Sequence, residues 1–387
     1  MHKLTIILKQ HTLLLHFQHN QAGATLRATE VKPKLDKFLI QRAFKGDFEL
    51  YKHLLQGYKG QNQREIHPAF AYQLSFTAKE IKMSDRNNLP GYFAEIGNKG
   101  EVGKKLSFAE GLKMHIKCRK PDLLEVIKEN INSFLMHHNF GTRQSRGFGS
   151  FTIDTEDKLY KPLALDYKFI VENYSDGKFE QWKNLFNHID LFSRSLRAGL
   201  NLKGAGARTT FYFKSLAFVF AKEVLGVQWD KKTIKENFFA NDLRQQQAAH
   251  NEADNVSYDG KKQLVKDLFG LSTVESWHSF KATVEKKSDV VQRYQSPILF
   301  KPIFNENGNY VVHFKADKLP DKMLNQTFNI STRGKRPFLI KTPENFDFDD
   351  FFRFIKDNFN ITEHVEDRYQ TAREFYILDN IYEQLKS

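Results

Sequence analysis

The stretch Leu112-Lys113-Met114-His115-Ile116-Lys117-Cys118-Arg119-Lys120-Pro121-Asp122-Leu123 changes its hydrophobic period at the proline. Before it, Leu112, Met114, Ile116 and Cys118 alternate with polar residues, the period of two that marks a half-buried strand. After it, Leu123, Ile127, Ile131 and Phe134 fall on one helical face. Working outward, Leu4, Ile6 and Leu8 make an opening strand, and Phe70, Tyr72, Leu74 and Phe76 alternate again. Between them Leu35, Phe38, Leu39 and Arg42 follow helical spacing, with Thr29 as a cap and Pro33 suited to a first turn. Residues 147–154 read as a further strand. The order β-α-β-β-α-β is the ferredoxin-like pattern, in which four antiparallel strands carry two helices on one face and leave the other face free. An open sheet face is a common RNA platform.

The expected fold class is α+β, with two ferredoxin-like (RRM-like) domains carrying loop insertions. Pro162 marks the boundary, giving one domain over residues 1–160 and a divergent second one over 161–387. Leu165, Tyr167, Phe169 and Val171 alternate and open the second half, and a helix is expected from Phe179 to Leu196. Asn307-Gly308 predicts a hairpin turn, and helices are expected after Asp347. Residues 85–105, with Pro90 and several glycines, read as a long projecting loop, and residues 231–262 as a polar surface insertion.

Composition narrows the classes of function. The 59 Lys and Arg against 46 Asp and Glu give a net charge of +13, the balance expected of a partner to a polyanion. No apolar stretch reaches the length of a membrane span and the N-terminus does not read as a secretory signal, so the chain is expected in the cytoplasm, away from membranes. The single cysteine, Cys118, excludes an internal disulfide and a Cys-rich zinc site. No metal and no cofactor are expected, since His16-x-x-His19 and His137-His138 lack ligands at zinc spacing. The 36 Phe are expected mostly in cores.

The densest chemistry lies in Phe140-Gly141-Thr142-Arg143-Gln144-Ser145-Arg146-Gly147-Phe148-Gly149-Ser150-Phe151. Glycine lets backbone amides approach an anion, Arg offers a bidentate fork to phosphate, and Ser adds a hydrogen bond. The loop is therefore either an RNA-backbone cradle or a tight connection with solvated arginines. Phe148 is either a stacking ring or a packing one. On the strand quoted first, Lys113, His115, Lys117 and Arg119 share the face opposite the apolar one, a basic stripe for phosphates or an ordinary solvated face. Lys32, Lys34 and Lys37 are weaker candidates on the first helix.

Ser145-Arg146-Gly147-Phe148-Gly149-Ser150 resembles the glycine-rich loop of the RAMP superfamily of CRISPR-associated proteins, most like subunit one of the Cmr-type (type III-B) effector complex. The segment Ala24-Thr25-Leu26-Arg27-Ala28-Thr29-Glu30-Val31-Lys32-Pro33 is similar to the loop preceding the first RAMP helix, with Lys32-Pro33 where the family commonly has glycine. The resemblance covers residues 1–155 well and the remainder weakly. It implies a subunit of a guide-RNA ribonucleoprotein in antiviral defence, with CRISPR guide or target RNA and other RAMP subunits as partners. Arg27, Lys32, Lys113, His115, Lys117, Arg119, Arg143, Ser145, Arg146, Gly147, Phe148 and Gly149 are the candidate RNA-binding residues. Two rivals stand beside a non-catalytic scaffold. One is a metal-independent repeat-processing endoribonuclease using His11, His16 and His19, with Lys9 and Arg27 near in sequence. The other is a subunit whose basic surface docks acidic protein neighbours.

Overall fold

The computed structural model describes residues 1–15, 25–58, 69–84, 106–240, 261–277 and 280–386. The loop expected over residues 85–105 lies outside them. In chain order the elements begin with β1 (His2–Gln10), α1 (Ala28–Arg42), α2 (Phe48–Tyr51), β2 (Tyr72–Thr77), β3 (Glu80–Ser84), β4 (Leu106–Glu110), β5 (Leu112–Cys118), α3 (Pro121–His137), β6 (Phe151–Ile153), β7 (Tyr167–Val171) and α4 (Lys178–Arg197). They continue with β8 (Leu200–Lys203), β9 (Thr209–Phe213), α5 (Leu216–Glu223), β10 (Val227–Gln228), α6 (Asp230–Phe238), β11 (Lys261–Lys262), β12 (Val274–Trp277), β13 (Ala282–Lys287), β14 (Ile298–Phe304) and β15 (Tyr310–Ala316). Last come β16 (Thr327–Thr332), β17 (Phe338–Lys341), α7 (Phe348–Asn358), α8 (Ile361–His364) and α9 (Arg373–Lys386). The chain is a mixed α/β protein with several antiparallel sheets. It forms two compact units, Met1–Ile189 with Phe300–Lys315, and Asp190–Leu299 with Ala316–Ser387.

In the first unit, four strands pair antiparallel in the order β2-β5-β1-β6. This is the split order expected of β-α-β-β-α-β, with the β3–β4 hairpin inserted between the middle strands. The register follows from the alternation: Leu4, Ile6 and Leu8 of β1 lie opposite Ile116, Met114 and Leu112 of β5. A slip of one residue would send all of these outward. They form a core with Val31, Leu35 and Leu39 of α1 and Leu123, Ile127 and Ile131 of α3. α1 starts at Ala28, with Arg27 rather than Thr29 at its cap, so Pro33 lies inside the helix and removes one ladder bond near its start. The last strand is shorter than expected, because Gly147 and Gly149 hold positive φ and keep the chain out of the extended region before Phe151.

β7 does not begin a second-half sheet. It pairs with β15 in the order β14-β15-β7, and the hairpin predicted at Asn307-Gly308 joins β14 to β15, with Gly308 at φ +77°. This places the hairpin in the first unit. In the second unit the strands β12-β13-β16-β17 neighbour one another in chain order, which differs from the split order of the first sheet. With β14 and β15 in the other unit, β13 and β16 become neighbours. Part of the stretch read as a polar insertion is α6, which buries Ile234 and Phe238; residues 241–260 lie outside the described ones. The charges that disguised it, Lys231, Lys232, Lys235 and Glu236, are half-buried, and a further charge in this unit is internal. The ammonium of Lys286 is 2.6 Å from Asp267 and 3.0 Å from Glu275, all but sealed from water. Burial opposes the Lys286 charge, yet Asp267 and Glu275 raise its pKa.

Candidate nucleic-acid interface

Because helices α1 and α3 cover the side of the sheet formed by even-numbered residues of β1, β2 and β5, the odd-numbered side chains face away. Lys113, Lys117 and Arg119 are exposed there or just beyond β5, and His115 is half-buried. Cross-strand register adds residues that the first reading passed over. Lys3 of β1 lies directly opposite Lys117, Thr5 opposite His115, and Ile7 opposite Lys113. On the other flank Gln73, Ser75 and Thr77 of β2 take the same three positions. His115 is fixed between the two neighbours, its Nδ1 3.1 Å from Thr5 Oγ1 and its Nε2 2.8 Å from Thr77 Oγ1. Lys9, half-buried, ends the row opposite Thr152 of β6. The alternation of Lys3, Thr5, Ile7 and Lys9 carried this signal all along, in the polar half of the opening strand.

Two like charges at directly opposed positions destabilise a sheet. Lys3 and Lys117 stand in that relation, and β1, β2 and β5 contain no Asp or Glu to compensate them. This face of the three strands carries no Phe, Tyr or Trp, since Tyr72 and Phe76 lie on the helix-covered side; its aromatic side chain is the His115 imidazole, held between Thr5 and Thr77.

The glycine-rich loop packs more deeply than a solvated connection. Gly141 donates its N–H to Glu30 Oε1, Gly147 to the Gln144 carbonyl, and Gly149 to the Leu13 carbonyl. These amides are used within the fold, which favours the tight connection over the anion cradle for Gly141, Gly147 and Gly149. A Cβ on Gly149 would lie 2.0 Å from the Phe140 carbonyl oxygen, so close approach of two backbone segments requires glycine there. Phe148 is fully buried and stacks on Phe186 with centroids 3.9 Å apart, leaving no face for a base. Ser145 is half-buried, and its carbonyl accepts from Phe300 N–H. Arg143, at φ +59°, and Arg146 are half-buried on this loop. Arg27 is half-buried at the cap of α1, whose Glu30 and Lys34 reach the loop at Gly141 and Gln144. Lys32 is engaged elsewhere: its ammonium donates to Asp36 at 2.7 Å and to the Phe70 carbonyl, over the Tyr72 ring.

His11 is buried, and both ring nitrogens are occupied. The Phe304 amide donates to Nδ1 at 3.0 Å, so in the neutral ring the proton sits on Nε2 and donates to Thr152 Oγ1 at 2.7 Å. Burial, reinforced by the charges of Lys301 and Lys9, holds its pKa well below the ordinary histidine value. A neutral imidazole with both nitrogens bonded inside the fold is a structural group rather than a base for RNA. His16 and His19 lie outside the described residues. Lys301, which the sequence did not single out, is sealed in the core and donates to the carbonyls of His138 and Phe151 at 2.9 and 2.8 Å.

Among the described residues no group of His, Cys, Asp and Glu could hold a metal ion, and no helix is long and apolar enough to cross a membrane. The family described as the Cmr1 N-terminal domain matches residues 1–200, and that described as the Cmr1 C-terminal domain matches residues 212–385. No curated protein matches the chain. It is similar to the crystal structure of Cmr1 from Pyrococcus furiosus in its apo form, at 10% identity over 83% of this chain and 90% of that one, with a TM-score of 0.39.

Proposed function

Since the chain belongs to the Cmr1 family, whose members are subunits of the type III-B CRISPR effector complex, we propose that it holds guide or target RNA by its sugar-phosphate backbone across the open sheet face of the first unit. The observation that carries this reading is the opposed pair Lys3 and Lys117, flanked by Lys113, on three strands that contain no Asp or Glu. Placing phosphates between such charges relieves their repulsion and releases counterions. Affinity then comes from the backbone, while sequence is read by base pairing within the RNA. Arg143, Arg146 and Arg27 form a second group of contacts around the glycine loop, which the fold holds rigid. Other Cmr subunits complete the particle, in the cytoplasm.

The test is incubation of the purified chain with end-labelled repeat RNA in EDTA, resolved on native and denaturing gels. Retarded, intact RNA is expected, with retardation weakened by Lys3→Glu with Lys117→Glu and by Arg143→Glu with Arg146→Glu. Unchanged affinity in both charge-reversed variants would refute the interface. Cutting that a 2′-deoxy substitution abolishes would instead make the chain a ribonuclease and move attention to His16 and His19.

A further inference from the structure

Where the basic row of β1 ends, the first unit opens into a cleft of 340 Å³. Lys9 and Thr152, partners across β1 and β6, form part of its floor. Tyr160 and Lys161 line it from the segment after β6, and Phe304 and Glu306 from the end of β14 and the turn beyond it. The cleft is held rather than incidental: Asn132, buried on α3, donates to the Lys161 carbonyl at 2.6 Å and pins that lip. We propose that this cleft receives a single unstacked nucleotide of the RNA strand lying on the sheet face. The inference rests on the reading of that face as the RNA platform and adds what the face lacks, a pocket for a base with Tyr and Phe rings.

Size, chemistry and position agree on that ligand. Pockets for small molecules run from about 300 to 1,000 Å³, so this one is of the size for one nucleotide and not for a longer segment. Tyr160 and Phe304 offer apolar ring surface to the faces of a base, and Lys9 and Lys161 offer cations to its phosphate. Glu306 repels phosphate from its own side, so the phosphate belongs with the two lysines and a base amino group with the carboxylate. Thr152 supplies a directed donor. Its oxygen accepts the His11 Nε2–H, so its own hydrogen is left for an acceptor other than His11, such as a phosphate or ribose oxygen. Lys3 to Lys9 spans about 20 Å of strand, enough for several phosphates to be held before the strand reaches the cleft.

The test is a two-by-two affinity comparison. The intact chain and Tyr160→Ala, an exposed position whose loss leaves the core alone, are titrated with a short oligouridylate and with an abasic ribose-phosphate oligomer of the same length. The expected result is a loss of about fivefold or more for the variant on the oligouridylate, and none on the abasic oligomer. Thr152→Val, which removes a donor aimed at a phosphate or ribose oxygen, should weaken both oligomers alike. For Tyr160→Ala, an equal loss on both oligomers, or no loss on either, would overturn the nucleotide pocket while leaving the platform standing. If neither oligomer binds the intact chain, the platform itself fails, and the pocket with it.

Discussion

Replacing Lys3, Lys113 and Lys117 together by glutamine removes three exposed cations from one sheet face without touching the core, since Leu4, Met114, Ile116 and Cys118 point the other way. If each ammonium neutralises one phosphate, the slope of log Kd against log salt should fall by roughly 0.7 for each, or about 2 in total. Between about 50 and 200 mM salt the intact chain should then lose roughly twentyfold more affinity than the triple variant. Fluorescence anisotropy with a labelled single-stranded RNA, repeated across a salt series, measures both slopes. A second signature runs the opposite way: with the Lys3–Lys117 repulsion gone, the RNA-free variant should melt slightly higher than the parent. A variant that binds less tightly with an unchanged salt slope would refute the phosphate account, because the loss would then have come from something other than counterion release.

Further outcomes follow from the interior. Lys286→Met leaves the buried Asp267 without its cation, while Glu275 keeps Lys266, and urea unfolding should show a loss of about 3–5 kcal/mol in the second unit; restoring stability by adding Asp267→Leu would confirm the cause. Gly149→Ala should cost more than the ~1–3 kcal/mol of a strained φ alone, since the new methyl also meets the Phe140 carbonyl, and reduced soluble yield and Tm would register it. Burial lowers the pKa of His11, and that of His138 and His313 to about 4 each. A histidine depressed in the folded state binds its proton first in the unfolded chain. Its stabilising effect is full above about pH 6.5 and is lost as pH falls from there toward the folded pKa, at up to about 1.4 kcal/mol per pH unit for each group. Urea titrations from pH 7 to pH 5 should show that decline, and a flat profile would contradict it.

The first unit was legible because its strands are half-buried. Leu4, Ile6 and Leu8, like Leu112, Met114, Ile116 and Cys118, alternate with polar neighbours, and that alternation gave both the sheet and its exposed basic side. The opposed Lys3 escaped notice because cross-strand register is a long-range property that a single strand does not display. The glycine loop stayed ambiguous for the converse reason. Glycine needed for close backbone packing and glycine needed for an anion have the same sequence, and only the partners of Gly141, Gly147 and Gly149 tell them apart. In the second half, Tyr167–Val171 has a clean period of two, but periodicity does not say which strand will pair with it. The charges of Lys231, Lys232, Lys235 and Glu236 made α6, which packs Ile234 and Phe238 inward, read as part of a surface insertion.

The division between sheet and cleft has a consequence for how RNA would lie. A platform that uses aromatic rings to stack bases must turn those bases toward the protein, which competes with their pairing to another strand. The face of Lys3, Lys113 and Lys117 has no Phe, Tyr or Trp on β1, β2 or β5, and the His115 imidazole is tied to Thr5 and Thr77, so phosphates can rest on it while the bases point outward and stay available for pairing. Tyr160 and Phe304 occur only at the end of the row, where taking one nucleotide out of the stack would fix the strand's register at the cost of a single base. Moving a ring into the middle of the platform should therefore be harmful. Thr5→Tyr, next to His115, is expected to tighten binding of single-stranded RNA in anisotropy titrations while slowing its pairing with a complementary strand. Equal pairing rates for the two proteins would show that the bases already face the sheet.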